Sequence, residues 1–287
     1  MNLPYSLILA IESILQTRIT GASALAGGCI HHATCLETSK GPVFLKYNDL
    51  EEATTFEVEA KGLDLLHATE TLRVPQVFGT GSAAEHSFLL LEFIQPGTKS
   101  NGFWGQLGRG LASLHSHSNL AFGLDHHNVI GRLPQSNHEH GRWADFFREE
   151  RLAPMVQMAL DKGELTPAIA SEIEAIYPHL QDYFPQESPA LIHGDLWGGN
   201  LLTGPHGEPV LIDPAVYYGH REAELAFMSL FDTQPPAFYA AYEEEFPLTP
   251  GYRNRFDLYN LYPLLVHLNL FGQGYLAAIR QIVKRYS

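Results

Sequence analysis

The chain of 287 residues has little basic charge, few cysteines and no long apolar run. It holds 18 Lys and Arg against 32 Asp and Glu, a formal net charge of -14, which argues against a nucleic-acid partner because phosphate binding needs a basic surface. Two cysteines provide no disulfide framework and fit a reducing compartment. No stretch reaches the roughly 20 apolar residues that a membrane span needs. These absences predict a cytoplasmic protein with no membrane or nucleic-acid partner.

The composition of the chain, with 45% hydrophobic and 17% charged residues, is that of an ordinary globular protein. Its length suits one large domain or two coupled lobes. The excess of acid could attract a cationic substrate, or it could serve solubility alone. The first 20 residues show no basic leader and no small-residue cleavage site, so they predict a packed helix rather than a signal peptide.

The first third of the chain is rich in strand signals. Residues 26–46 alternate turn-rich and strand-like segments, which predicts a hairpin with Gly27 and Gly28 near one end and Lys46 on the returning strand. A turn at residues 79–81 precedes the apolar run of residues 86–94. A continuous run of this kind predicts a buried strand.

One helix is predicted between these strands. Asn48, followed three residues later by Glu51, has a capping-box pattern and predicts the start of the helix. Glu59 lies on the otherwise apolar face of this helix, where an acid needs a partner. Glu57 takes that place if the helix is rotated.

The rest of the chain is predicted to be helical. A polar segment at residues 116–141 is too long for a simple connection and predicts a functional loop. We place an N-lobe at residues 1–94 and a C-lobe at residues 95–287. A strand-rich part followed by a helical part predicts an α+β bilobal fold. The predicted helices of the second part are residues 103–115, 143–158, 170–184, 222–231, 238–245 and 252–272.

The most informative stretch is residues 191–202, which read LIHGDLWGGNLL. Asp195 and Asn200 are separated by four residues, as are the aspartate and the asparagine of a kinase catalytic loop. The aspartate acts on the attacking hydroxyl, and the asparagine ligates magnesium. Asp213, flanked by apolar residues in VLIDPA, follows as a second metal ligand. Together these residues predict a phosphotransferase that uses ATP and Mg²⁺.

A nucleotide site can be assigned around these residues. Lys46 would reach the α and β phosphates, with Glu59 thirteen residues later fixing its direction, although Lys46 by itself could be an edge lysine. Gly27 and Gly28 could let backbone amides approach a phosphate, but they lack the GxGxxG spacing. Glu92 and Ile94 end the apolar run, where main-chain groups would bind adenine.

Cys29 and His267 are further candidates. Cys29 follows Gly28, and a thiol near an amide-rich phosphate site forms the reactive thiolate more readily, which makes it a redox candidate. A small strand residue is the alternative. A disulfide-linked dimer would follow from oxidation, so the sequence leaves a monomer and a redox-dependent dimer both open. His267 lies on an aromatic helical stripe and either packs there or lines the active site.

Blocks outside the HGDxxxxN core resemble the fructosamine/ketosamine-3-kinase family, which is related to the aminoglycoside phosphotransferases. The resemblance covers nearly the whole length of the chain. The blocks are GGCI at 27–30, FEVEAKGL at 56–63, FGLDHHNVIG and PQSN within 122–137, WADFFREERL at 143–152, GHREAELAFMSLF at 219–231 and LYNLYPLLVHLNLFGQGY at 258–275.

The resemblance implies a protein-kinase-like fold and ATP-dependent phosphorylation of the sugar 3-hydroxyl of a ketoamine. The ketoamine would be a small molecule or an adduct on a protein. Within the family's site, Lys46 and Glu59 would position the nucleotide and Asp195 would be the catalytic base. Asn200 and Asp213 would ligate the metal.

Trp197, inside the catalytic loop, could stack on the sugar or simply pack. Two other functions stay open beside the ketoamine kinase. One is a kinase acting on an aminoglycoside or a choline-like acceptor, and the other is a non-catalytic module that only binds a nucleotide.

Overall fold

The structure of the protein is a computed structural model, which describes residues 3–25 and 32–286. Gly27, Gly28 and Cys29 lie outside the described residues, so their assignment to phosphate binding and redox control stays a prediction. The chain divides into two compact units, Met1–Phe103 with Leu201–Pro214 and Trp104–Asn200 with Ala215–Ser287.

The first unit is built on an antiparallel sheet with two helices. Its elements are α1 (Tyr5–Leu15), β1 (Ile19–Ala24), β2 (His32–Thr38), β3 (Gly41–Asp49), α2 (Ala53–His67), β4 (Val77–Ala83) and β5 (His86–Glu92). The five strands are ordered β1-β2-β3-β5-β4. Leu7 and Ile11 of α1 pack with Leu45 and Phe88 of the sheet to form a core. The predicted buried strand is confirmed, because β5 is buried at every residue except its two ends.

The predicted packed helix at the N-terminus is confirmed over Tyr5–Leu15, and a strand follows from Ile19. Two other local predictions for this unit are wrong. Residues 79–81 belong to β4, where Gly81 leaves room for Phe88 across the sheet, since a Cβ there would lie 2.7 Å from the ring. Asn48 is not the N-cap of α2, because it lies in β3 and Glu52 holds the N-cap position.

A small hairpin from later in the chain belongs to the first unit. It consists of β9 (Leu201–Thr203) and β10 (Pro209–Leu211). The N–H of Leu211 donates to the carbonyl of Arg73 at 2.9 Å, and the N–H of Gly97 donates to that of Thr203 at 3.0 Å. The division therefore differs from the predicted N-lobe of 1–94 and C-lobe of 95–287, since these contacts join distant parts of the sequence.

The second unit is mostly helical, as the α+β fold class requires. The predicted helix over residues 170–184 is broken, because Pro178 lies in a 3-10 turn between two shorter helices. The helix at Phe147–Leu152 is of the π type. Within the described residues, none of the helices has the length and apolar character to cross a membrane. The elements are α3 (Phe103–His115), β6 (Asn128–Ile130), β7 (Leu133–Gln135), α4 (Trp143–Phe146), α5 (Ala153–Asp161), α6 (Pro167–Glu174), α7 (Leu180–Tyr183), β8 (Ala190–Ile192), β11 (Tyr217–Gly219), α8 (Arg221–Phe231), α9 (Pro236–Glu245), α10 (Tyr252–Phe271) and α11 (Leu276–Tyr286).

Candidate active site

A buried ion pair lies in the first unit, between β3 and α2. Nζ of Lys46 donates to Oε1 of Glu59 at 2.7 Å, and both side chains are buried. The predicted pairing of these two residues is confirmed. Glu57, the alternative, is exposed. The apolar face of α2 tolerates Glu59 because Lys46 balances its charge.

Asp213 shares the same ammonium. Nζ of Lys46 donates to its Oδ1 at 2.6 Å. Asp213 has a φ of 55°, in the left-handed region that aspartate enters more readily than most residues. Burial would lower the pKa of Lys46, but the charges of Glu59 and Asp213 raise it above its ordinary value. The ammonium therefore stays charged, which the predicted role of Lys46 at the phosphates requires.

The stretch singled out in the sequence forms a tight loop in the second unit, after β8. Gly194 has a φ of 83°, and a Cβ on it would lie 2.1 Å from the carbonyl oxygen of Ala215, so only glycine fits. Asn200 then reaches back to Asp195. Its Nδ2 donates to the main-chain oxygen of Asp195 at 2.8 Å and to Oδ2 at 2.9 Å. Asn200 thereby orients the Asp195 carboxylate.

The carboxylate of Glu224 on α8 binds the main chain of this loop. Its two carboxylate oxygens accept the main-chain N–H groups of His193 at 2.9 Å and Gly194 at 2.8 Å. His115 lies against the same carboxylate, with Nε2 3.1 Å away. Burial would raise the pKa of Glu224, but the hydrogen bonds and charges of His115 and His193 hold it below its ordinary value. The Glu224 carboxylate thus fixes the backbone of the two residues immediately before Asp195.

Sequence reasoning did not assign Glu224 a role. The signal that could have found it is an acid on the buried face of a predicted helix, the same signal that identified Glu59. In the sequence, Glu222 and Glu224 both lie in the first turn of α8, and both are buried. Only the contacts distinguish them, since Glu222 binds Arg255.

Two aromatic candidates lie in the second unit near the loop. Trp197 is 42% exposed, and its ring stands nearly perpendicular to that of Phe231, with centroids 6.5 Å apart. His267 is half-buried, and its ring centroid is 5.0 Å from that of Phe231. Asp195, Tyr262 and His267 line one cavity, so His267 lies beside the loop that carries Asp195.

The family model for fructosamine kinases matches residues 7–287 of this chain. A probable ketoamine kinase of Synechocystis sp. is 41% identical over 269 residues, which are 93% of this chain and 90% of that protein. The chain belongs to the fructosamine kinase family. Membership makes the protein a phosphotransferase, as the spacing of Asp195 and Asn200 predicted.

Other fructosamine kinase relatives agree with this placement. A chloroplastic protein-ribulosamine 3-kinase of Oryza sativa is 38% identical over 94% of this chain and 80% of its own length. A Thermobifida fusca crystal structure, provisionally assigned as a fructosamine-3-kinase, has a TM-score of 0.87 at 32% identity over 97% of both chains. An aminoglycoside phosphotransferase has a TM-score of 0.61 at 16% identity, covering 97% of this chain and 98% of its own. The last likeness shows that the fold is that of a protein-kinase-like phosphotransferase.

Two residues at and just after the end of β5, Glu92 and Ile94, are those that the sequence predicts to bind the nucleotide. The side chain of Glu92 pairs with Nη2 of Arg73 at 2.6 Å, and its N–H donates to the carbonyl of Gln76 at 2.8 Å. Ile94 is buried. The side chain and the N–H of Glu92 therefore already have partners within the first unit.

A buried polar network braces the segment that follows Asp213. Nε2 of Gln135 donates to Oδ1 of Asn128 at 2.8 Å and to the carbonyl of Ala215 at 3.1 Å. Nδ2 of Asn128 donates to the carbonyl of Val216 at 2.8 Å, and the hydroxyl of Tyr262 donates to Oε1 of Gln135 at 2.7 Å. Gln135 of the PQSN block therefore has a structural role within the second unit. The sequence alone does not show its contacts with Asn128, Ala215 and Tyr262.

Proposed function

We propose that this member of the fructosamine kinase family transfers the γ-phosphoryl group of ATP to the sugar 3-hydroxyl of a ketoamine. The observation that carries the proposal is the orientation of Asp195. Asn200 holds its carboxylate from one direction, and Glu224 fixes the two preceding main-chain N–H groups. Preorganised groups of this kind reduce the reorganisation that a reaction needs.

Asp195 takes the proton of the attacking hydroxyl in this proposal. Its carboxylate oxygen Oδ2 accepts from Asn200, which fixes the direction in which the other oxygen points. Phosphoryl transfer depends mostly on positioning and on charge neutralisation, so a carboxylate that orients the hydroxyl is the group expected here.

Lys46 serves the phosphates of the nucleotide, with Glu59 and Asp213 keeping it charged and in place. The carboxylate of Asp213 and the amide oxygen of Asn200 are hard oxygen donors, which fit Mg²⁺. When bound, Mg²⁺ would neutralise phosphate charge. The main chain near Glu92 and Ile94 binds adenine in this proposal.

The acceptor is tested by incubating the protein with ATP, Mg²⁺ and a panel of acceptors. We expect phosphorylation of fructosyl and ribulosyl amines, the class named in the ketoamine and ribulosamine kinase relatives. Phosphorylation of aminoglycosides or choline without any ketoamine product would contradict the proposal. Nucleotide binding without transfer to any acceptor would favour a non-catalytic module.

Asp195→Asn tests the base. The substitution keeps the shape of the side chain and removes its charge, so kcat should fall about 100-fold or more, as loss of a general base does, while ATP still binds. Asp182→Asn is the matched control, because Asp182 is an exposed aspartate on α7 with its side chain 67% accessible. Equal turnover by Asp195→Asn and the control would remove Asp195 from its proposed role.

A further inference from the structure

The two glycines of the catalytic loop leave room for two specific side chains. A Cβ on Gly198 would lie 2.5 Å from Oδ2 of Asp232, and a Cβ on Gly199 would lie 2.3 Å from the ring of Trp197. Neither glycine has a positive φ, so the backbone conformation does not explain them. They allow a carboxylate and an indole ring to lie directly against the loop that carries Asp195.

The ring of Trp197 begins a partly exposed aromatic surface. Phe231 follows at 6.5 Å, His267 lies 5.0 Å beyond Phe231, and Tyr275 lies 5.0 Å beyond His267, all as centroid distances. Trp197 and Phe231 are 42% and 44% exposed, although large aromatic rings are usually covered. Burial lowers the pKa of His267, so its ring is neutral at pH 7 and does not repel a cation.

Asp232 adds negative charge at the edge of this surface. It is exposed and follows directly after Phe231, at the end of α8. The C-terminus of a helix carries partial negative charge, and α8 has no basic residue in its last turn to offset it. An anionic group beside exposed aromatic rings is the arrangement that binds alkylammonium ions, through ion pairing and cation–π contacts.

We propose that Asp232, Trp197 and Phe231 form the binding site for the protonated amine of the acceptor. The inference rests on the proposed function, since a ketoamine carries a secondary amine that is cationic at neutral pH. This nitrogen and the 3-hydroxyl are only a few bonds apart. A site for it must therefore lie close to Asp195, and Gly198, which touches Asp232, lies in the same loop.

The site would select ketoamines over neutral sugars. An uncharged acceptor gains neither the ion pair with Asp232 nor the cation–π contact with Trp197. Hydrogen bonds to the sugar hydroxyls alone would not make this distinction, because both kinds of acceptor carry the same hydroxyls. The amine site thus supplies specificity, while Asp195 supplies the chemistry.

The test compares a 1-alkylamino-1-deoxyfructose with its 1-O-alkyl ether, which has the same shape but no charge. Binding of each to the whole protein is measured by calorimetry without ATP, and phosphorylation is measured separately with ATP and Mg²⁺. We expect the wild type to bind the amine about fivefold to tenfold more tightly than the ether. Asp232→Asn should reduce this preference about threefold to fivefold and leave ether binding unchanged.

Two further variants complete the design. Trp197→Leu should also reduce the preference for the amine, because it removes a π face while Asp232 remains. Asp182→Asn changes the net charge by the same amount on the same unit and should leave the preference as in the wild type. An equal effect of Asp182→Asn and Asp232→Asn would overturn the inference, since net charge alone would then explain it.

The outcomes separate the inference from the proposed function. If the wild type phosphorylates ketoamines but Asp232→Asn keeps the full preference for the amine, the inference fails and the proposed function stands. If the amine preference is present and lost in Asp232→Asn while no ketoamine is phosphorylated, the amine site stands and the proposed function fails. Equal binding of amine and ether by the wild type overturns the inference whatever the phosphorylation assay shows.

Discussion

Nζ of Lys46 lies 2.6 Å from Oδ1 of Asp213, so one buried ammonium joins β3 to the segment that follows the β9–β10 hairpin. The same nitrogen binds Glu59. One cation therefore balances two carboxylates, of which Glu59 is the more deeply buried. The stability of the first unit depends on this lysine, and under the proposed function the binding of the nucleotide phosphates does too.

Lys46→Met should abolish phosphoryl transfer and lower the free energy of unfolding by about 3 kcal/mol, because a buried carboxylate loses its partner. Burial raises the pKa of Glu59, so protonation on acidification should restore part of the lost stability. Urea unfolding of the variant should show stability rising, relative to wild type, as the pH falls from 8 to 5. In Lys46→Met/Glu59→Gln this gain should disappear, and its persistence would contradict the explanation.

Glu224→Gln should lower kcat about tenfold to 100-fold with little change in the KM for ATP. A glutamine offers one acceptor oxygen in place of the two that hold His193 and Gly194, and loss of a hydrogen bond to a charged group costs about 1.5–3 kcal/mol. A merely structural role would lower the amount of folded protein and leave kcat per folded molecule unchanged. Steady-state kinetics, normalised to folded protein by circular dichroism, distinguishes these cases.

The pH dependence of stability provides a second readout for Glu224. Its pKa is held below the ordinary value in the folded state, so its contribution to stability is complete above about pH 4.5 and is lost as the pH falls through the lowered pKa. Urea unfolding between pH 3 and 6 should show a steeper loss of stability on acidification in wild type than in Glu224→Gln. Identical pH profiles would show that Glu224 is not held as an anion.

Gly199→Ala should impair use of the acceptor without unfolding the protein. Its backbone conformation suits alanine, but the added Cβ would lie 2.3 Å from the ring of Trp197 and must displace it. We expect the KM for the acceptor to rise about fivefold while the melting temperature stays within a few degrees of wild type. Gly274→Ala is the control, because a Cβ there meets nothing within 4 Å.

Gln135→Leu should destabilise the second unit by about 2–4 kcal/mol, since it removes the Gln135 partner of two buried polar groups. Those groups are the hydroxyl of Tyr262 and the carbonyl of Ala215, whereas Oδ1 of Asn128 still accepts from Nδ2 of Asn137. Gln157→Leu is the control, because Gln157 makes an exposed hydrogen bond to Asp161. Equal unfolding free energies for the two variants would contradict a bracing role for the network.

The sequence predicted strands and helices correctly where apolar residues recur at regular intervals. It located β5 and the helix bearing Glu59, because a buried strand and an amphipathic helix each impose a pattern on neighbouring residues. It misplaced residues 79–81 in a turn. Gly81 sits in a strand because Phe88 occupies the space beside it, a contact that is distant in sequence.

The sequence by itself determined the chemistry. The spacing of Asp195 and Asn200 and the charge of Lys46 are local facts, and phosphoryl transfer constrains residue types so closely that the phosphotransferase assignment followed from them. Only the tertiary structure decided what holds these groups. Glu224 beneath Gly194 and Asp232 against Gly198 depend on how α8 packs within the second unit. Packing of this kind depends on the whole core and leaves no periodic pattern along the chain.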